Sequence, residues 1–419
     1  MDGGRRWGGH GQGGASGGGA GNWLGGRVVA AAQGRERVMA FPLGASVTLQ
    51  ALADEPYPLF ARLQAEEPVT WCPALGMWLV VRWSDAVAVL QNRRDFTVVS
   101  ERSLLADVIG PMMLSTDGSE QTRLRQPFAA TYLPRSIAGL AEAVAARAEA
   151  LVSAFAATGE ADLQAQFAAP LALGTVLDSL GLPDPDLPVV RAWYADIATA
   201  LSNYTGDPGV RALGQSAVRA FGEYVRARWA GLRPGSPLAA AAAAGLSEAE
   251  VLASAAITVF GGLETTAAML GNTLWALLRH PDQLAAVRAD PGLLPRAVDE
   301  GLRWESPVQT CTRHANREVE IAGVPVAAGD TVQCMVGAAN RDSAHFPQPE
   351  RFDVRRANAD EHLAFGSGRH FCIGAALARL EGAVGLRVLL ERLPALELVG
   401  VGAPAGHEFR SLAALRVRF

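Results

Sequence analysis

The chain has 419 residues, is 49% hydrophobic with mean hydropathy +0.14, and carries a formal net charge of −5. It is long enough to bury a large core and lacks the basic excess of a nucleic-acid binder; its basic residues are all arginine. The cysteines, Cys72, Cys311, Cys334 and Cys372, include no C-x-x-C pair, which argues against a zinc site or a disulfide framework and for a reducing cytosol.

Residues 1–40 are rich in Gly and Arg and too poor in apolar side chains to pack, so they read as a disordered tail, with Met39 a candidate start and a single domain over 41–419. Within the tail, Gly9-x-Gly11-x-x-Gly14 and Gly14-x-Ser16-x-Gly18 mimic a dinucleotide fingerprint and a nucleophile elbow, but neither follows a strand or opens a patterned helix. Gly25, Gly26 and Arg27 interrupt the apolar patch after Trp23, which argues against a secretory signal, and no other run reaches membrane-spanning length free of charge. A short helix is predicted over Tyr57–Ala65, then a hairpin of Val69–Cys72 and Met77–Val81 turning at Pro73-Ala74-Leu75-Gly76, then a capped helix starting at Ser84. Apolar residues recur at helical spacing over Thr122–Ala129, Ser136–Ala156, Leu163–Leu180, Pro188–Tyr204 and Pro208–Trp229.

Glu248–Arg279 reads as an apolar helix interrupted at Phe260-Gly261-Gly262-Leu263-Glu264-Thr265-Thr266. Two interior glycines cost about 1 kcal/mol each relative to Ala, and Glu264 puts an acid into an apolar run, so something must compensate. Glu300 and Arg303 stand one helical turn apart and can pair. Arg317–Met335 alternates Val and Ile around Ala322-Gly323 and Ala328-Gly329, which predicts short strands and turns. Last, Phe365-Gly366-Ser367-Gly368-Arg369-His370-Phe371-Cys372-Ile373-Gly374 presents one cysteine and opens a long apolar helix, Ala375–Leu393. A thiolate placed there gains from the helix dipole and from backbone N–H groups, while Gly366 and Gly368 let a flat cofactor approach the main chain.

That stretch resembles the haem-binding loop of cytochromes P450, Phe-Gly-x-Gly-x-His/Arg-x-Cys-x-Gly, with every specified position filled. The resemblance extends from Ala51 to Phe419. It implies a mainly α fold with small β-sheets, a haem b between the long central helix and the cysteine loop, and Cys372 as axial thiolate; no C-x-x-C-H pattern attaches the haem covalently. It further implies that Phe365, Gly366, Gly368, Gly374 and Gly261 border the cofactor and that Arg125, Arg313 and His370 hold its propionates, for which the guanidinium fork is suited. Gln121 occupies a position where the family often has His, giving at most a weaker neutral contact. The family pattern Ala/Gly-Gly-x-Asp/Glu-Thr falls on Gly261 to Thr265, which implies that Thr265 hydrogen-bonds dioxygen and Glu264 relays protons from solvent, as O–O heterolysis requires. Glu300 and Arg303 match the family's Glu-x-x-Arg, and Arg351, in Pro349-Glu350-Arg351-Phe352, would join them in a buried network bracing the loop. Family position lines the substrate pocket with Ile257, Phe260, Val308, Gln309, Thr310 and parts of Val98–Leu114, mostly apolar. The six histidines other than His370 read as surface or cap residues.

In finer detail, Thr70-Trp71, the run from Leu75 to Val80, Leu302 to Gln309 and Gln333 to Asp342 resemble haem domains of bacterial P450s fused to a flavin and iron–sulfur reductase, which hydroxylate or O-dealkylate small aromatics. The chain stops at Phe419 with no flavin or ferredoxin segment, which implies a stand-alone relative or an excised haem domain. The resulting expectation is a cytoplasmic monooxygenase that inserts one atom of O2 into a small or medium hydrophobic substrate. Its electrons would come from a ferredoxin and an NAD(P)H-dependent reductase, or from a fused reductase domain absent from this chain, docking near Arg123, Arg369 and Arg379. A peroxide-using haem-thiolate enzyme or a non-catalytic haem sensor would have no need of the Glu264–Thr265 pair.

Overall fold

The computed structural model describes residues 36–100, 103–182, 186–201, 203, 206–400 and 402–419. Its architecture is mainly helical with small sheets, organised around one long helix, Glu248–Arg279. That helix starts in a capping box: the Ser247 hydroxyl accepts the Glu250 N–H, and the Glu250 carboxylate accepts the Ser247 N–H. It then runs unbroken for 32 residues to His280, a rod of about 48 Å. These are the expected bounds, and close packing compensates for the two interior glycines. A Cβ on Gly262 would lie 2.6 Å from Val176 Cγ2, so the missing side chain lets the helix Ala169–Leu180 close onto the rod. By length and composition the rod could cross a membrane, but Glu264 interrupts its apolar run and it is a core helix, buried along most of its length.

Other helices keep their predicted positions with local corrections. The Ser84 helix begins one residue earlier, as Trp83–Gln91, and Ser84 caps nothing; the distant Asp342 carboxylate accepts the Trp83 N–H at 2.9 Å. Ser136–Ala156 divides into Pro134–Ile137, a tight turn Ala138–Leu140, and Ala141–Phe155. Leu163–Leu180 opens with a wide turn, Gln164–Ala168, because Pro170 has no N–H to continue the ladder from the regular helix behind it. Leu187–Leu201 and Pro208–Ala227 follow, the second capped by the Asp207 carboxylate on the Gly209 and Val210 N–H groups.

The main sheet has five strands in the order Val69–Cys72, Met77–Val80, Thr331–Met335, Thr310–Ala315, Phe96–Thr97. Its first pair is the expected hairpin, in register Cys72↔Met77 with Gly76 at φ +66°; only the contact of Met77–Val80 with Thr331–Met335 is parallel. A two-stranded hairpin, Val319–Ile321 and Val324–Val326, turns at Ala322 and Gly323, both at positive φ. A third sheet joins Glu160–Asp162, Arg416–Arg418 and Glu397–Leu398.

Of the expected tail, 1–35 and both glycine patterns lie outside the described residues. The last five positions of that segment are described. Residues 36–40 are helical, and Arg37 pairs with Asp330 at 2.7 Å while its guanidinium lies 4.5 Å from the Trp71 ring and 5.1 Å from the Trp78 ring. Trp78 donates its indole N–H to the same Asp330 carboxylate.

Candidate functional site

Behind the cysteine loop lies a fully buried ion pair. Arg303 Nε and Nη2 donate to the two Glu300 oxygens at 2.7 and 2.8 Å, and the remaining N–H groups reach the carbonyls of Asn340, Pro349 and Arg351. The third side chain of this network is Arg356, whose Nε lies 3.2 Å from both Glu300 oxygens, and not Arg351, which is exposed and supplies only its backbone carbonyl. The turn at Pro347 to Arg351 folds its carbonyls inward onto the two guanidiniums, so the expected arginine faces away. Asn340 then passes the order on: its Oδ1 accepts the Leu363 N–H at 2.6 Å, and the Leu363 carbonyl accepts the Gly366 N–H. His362 is buried rather than at the surface; it faces Asp299, which also receives Arg379, while the Arg379 guanidinium covers the Phe365 ring at 4.8 Å. Burial lowers the basicity of His362 despite the Asp299 contact.

The loop itself turns at Gly366 and Gly368, with φ +69° and +72°. A Cβ on Gly368 would come within 2.7 Å of the Leu90 carbonyl, so that position tolerates only glycine. The Cys372 N–H bonds the Phe365 carbonyl at 2.8 Å. Cys372 keeps open surface in an otherwise dense surround. Burial raises its thiol pKa, and the Gly374 and Ala375 N–H groups, Arg125 and Arg379 oppose that rise by favouring the thiolate.

Flanking the loop, Arg125 Nη2 donates to the Phe371 carbonyl at 2.5 Å. His370 Nε2 lies 2.9 Å from Asp117, and its Nδ1 is buried without a partner among the described residues. Burial would raise the Asp117 carboxyl, but hydrogen bonds from His370, the Thr97 hydroxyl and the Val98 N–H hold it far below the usual carboxylate range. Arg313 is buried, donates to the Thr312 carbonyl, and has no salt bridge among the described residues. The buried Gln121 amide donates to the Arg369 carbonyl at 3.3 Å and so braces the loop backbone. The arginine face is also less free than expected, since Arg123 is held by Glu120 and Glu250, Arg369 by the Gly118 carbonyl and Arg379 by Asp299.

On the central helix, Gly261 is exposed, and a Cβ there would meet nothing within 4 Å, a local opening in a buried rod. Beside it, the half-buried Thr265 donates its hydroxyl to the Gly261 carbonyl at 2.5 Å. Glu264 accepts a hydrogen bond from Tyr194, on the facing helix Leu187–Leu201. Phe260 stacks on Tyr194, with centroids 5.7 Å apart, and meets Phe409 edge-on at 6.0 Å. Phe409 in turn bridges to Val308. Val308 and Thr310 are half-buried, and Ile257 is buried. Gln309, between them, is removed from the pocket set: strand alternation turns it inward, where its amide donates to the Ser306 carbonyl and its side chain fills the space over Gly337. In the Val98–Leu114 segment, Met112 and Met113 are buried and Val99 is exposed, while 101–102 lie outside the described residues.

A family model of cytochrome P450 matches residues 238–398. The chain is 38% identical over 371 residues to cytochrome P450 monooxygenase PikC of Streptomyces venezuelae, covering 83% of this chain and 86% of the relative. The chain belongs to the cytochrome P450 family. It is also 33% identical to 6-deoxyerythronolide B hydroxylase of Saccharopolyspora erythraea, over 82% of this chain and 89% of the relative. The structure of P450BioI with a hexadec-9Z-enoic acid-ligated acyl carrier protein superposes with a TM-score of 0.81 at 29% identity, covering 89% of this chain and 100% of that one.

As a P450 the protein is an oxidoreductase of the monooxygenase type and carries haem with the Cys372 thiolate as axial ligand. The residues present fit that group. Cys372 is accessible and surrounded by donors to its sulfur, while among the described residues Arg313 is a buried cation with no anionic partner and His370 Nδ1 a buried polar atom with no hydrogen-bond partner. Sequence reasoning missed Tyr194, Phe409, Asp117 and Arg356. Each meets its partner through tertiary structure alone, and only the acid in an apolar helix at Glu264 signalled that some polar partner had to exist.

Proposed function

We propose that this P450 hydroxylates a small or medium hydrophobic substrate, inserting one atom of O2, with Glu264 relaying protons and Thr265 steadying them beside Gly261. The observation that carries this reading is the half-buried Glu264–Thr265 pair at the one-residue opening of an otherwise buried helix. Bound haem supplies the oxygen-activating chemistry, with the thiolate donating electron density. The protein's own residues do the rest. Arg313, Arg125 and His370 would hold the propionates, and the Gly374 and Ala375 N–H groups would favour the thiolate on Cys372. Thr265, whose hydroxyl donates to the Gly261 carbonyl, keeps its oxygen lone pairs available to accept a proton donor. Phe260, Ile257, Val308, Phe409 and Thr310 form the apolar wall that orients the substrate.

The hydroxylase named among the relatives supports hydroxylation as the principal reaction. O-dealkylation of small aromatics is the second reading, supported by the segments quoted above from reductase-fused haem domains. Electrons come from a ferredoxin with its NAD(P)H-dependent reductase, or from a reductase domain outside this chain, and the protein works in the cytoplasm. The test is a spin-state titration with three probes, a macrolactone, a long-chain fatty acid and a methoxy-substituted aromatic, followed by product analysis. A low-to-high-spin shift and a hydroxylated or demethylated product from one class assigns it. Absence of any shift, with a thiolate-type carbon monoxide spectrum, would defeat the apolar-substrate reading. In turnover, Thr265→Ala is expected to divert reducing equivalents to peroxide and cut product about tenfold. Full coupling in that variant removes Thr265 from the proton path.

A further inference from the structure

We propose that Tyr194 is the positioning residue for the proton-delivering carboxylate: it holds Glu264 from the facing helix Leu187–Leu201 and so ties proton supply to the seating of that helix. The proposal rests on the reading of Glu264 as proton carrier. The contact has two points. Phe260 and Glu264 are four residues apart on the central helix and share one face; the Tyr194 ring stacks on the first and its hydroxyl donates to Oε2 of the second. Glu264 has no other hydrogen-bond partner among the described residues, and its neighbour Thr265 is occupied by the Gly261 carbonyl. The carboxylate is therefore oriented across the helix–helix interface and not by its own helix.

The surroundings favour a movable tie over a rigid one. A small apolar cavity adjoins Tyr194, lined by Val190, Trp193 and Ile197 of its own helix and by Phe221, Ala256 and Val259. Packing there is incomplete, so the helix can shift while losing few contacts, and the hydroxyl–carboxylate bond is the directional element that fixes its seat. Burial and the charge of Glu264 push the Tyr194 phenol far above its ordinary pKa. It therefore stays protonated and acts as a holder, not as a proton carrier.

The experiment compares haem-loaded parent protein, Tyr194→Phe, Glu264→Gln and the double variant. Oxygen consumption is driven by a surrogate [2Fe–2S] ferredoxin and its reductase, in H2O and in D2O, and hydrogen–deuterium exchange is followed over 187–201. Tyr194→Phe keeps the ring and removes one oxygen atom, so an unchanged thiolate-type carbon monoxide spectrum is expected. Loss of one charge-assisted hydrogen bond should slow turnover about five- to tenfold, with a larger solvent isotope effect. The double variant should turn over no more slowly than Glu264→Gln alone. Amides in 187–201 should exchange faster in each single variant and no faster in the double. If Tyr194→Phe slows Glu264→Gln by the same factor as it slows the parent, or if exchange over 187–201 is unchanged, the tie is overturned. Impaired Glu264→Gln with normal Tyr194→Phe overturns this inference alone. Normal Glu264→Gln overturns the proton reading and the inference with it.

Discussion

Arg303 sits fully buried with every donor engaged, and among the described residues Glu300 is its only counter-charge in contact, shared with Arg356. Glu300→Ala strands two guanidiniums in the interior and should destabilise the fold by about 3–5 kcal/mol, read by urea titration. Arg356→Ala should be clearly destabilising, while Arg351→Ala, which keeps the carbonyl that matters, should stay within about 0.5 kcal/mol of the parent. Glu381, on the helix after the cysteine loop, offers a pH test. Burial pushes its carboxyl from the ordinary 4.5 up to about 8, against the pull of Arg147. Between those values the folded chain holds a proton that the unfolded chain has released. Stability therefore falls as pH rises through that window, by up to about 1.4 kcal/mol per unit, and is level above it. Glu381→Gln removes the slope, so its Tm advantage over the parent should widen from about pH 5 to about pH 8. The cysteine and its glycines were legible in the sequence because local backbone geometry demands them. Arg356 was not, since nothing in the dipeptide Arg355-Arg356 tells which guanidinium turns inward.

The central helix separates two glycines that read alike in sequence. Gly262 is filled from outside by Val176, so Gly262→Ala should destabilise by about 1–3 kcal/mol through overpacking. Gly261 faces open space, and Gly261→Ala should raise Tm through improved helix propensity, by the equivalent of about 0.5–1 kcal/mol, while altering the haem spectrum. Opposite shifts in the two variants, measured by calorimetry and absorption together, check both assignments. Periodicity located the long helices well because it reports which face is buried. It failed at their ends and breaks, where the decisive groups are a distant Asp342 carboxylate at Trp83 or the missing N–H of Pro170. Substrate-facing residues were half legible for the same reason. Family position named Val308, Gln309 and Thr310 together, but strand alternation turns the middle one inward.

Across the whole molecule, the chain's early segment is fastened to its late sheet. Arg37 lies against Trp71 and Trp78 and pairs with Asp330, more than 200 residues on by number. Arg37→Ala should lower stability by about 1–2 kcal/mol and change tryptophan fluorescence, whereas a tail lacking contacts would leave both unaltered. Composition hid this clasp, because one arginine in a glycine-rich stretch carries no periodic signal. The brace behind the cysteine loop, from Glu300 through Arg303 and Asn340 to Leu363, has a different reach. It is built wholly of polypeptide, so the socket keeps its shape by its own bonds. Loss of the prosthetic group and loss of the fold should then be separate events on heating, and a porphyrin carrying manganese or cobalt should seat in the emptied protein without refolding the chain.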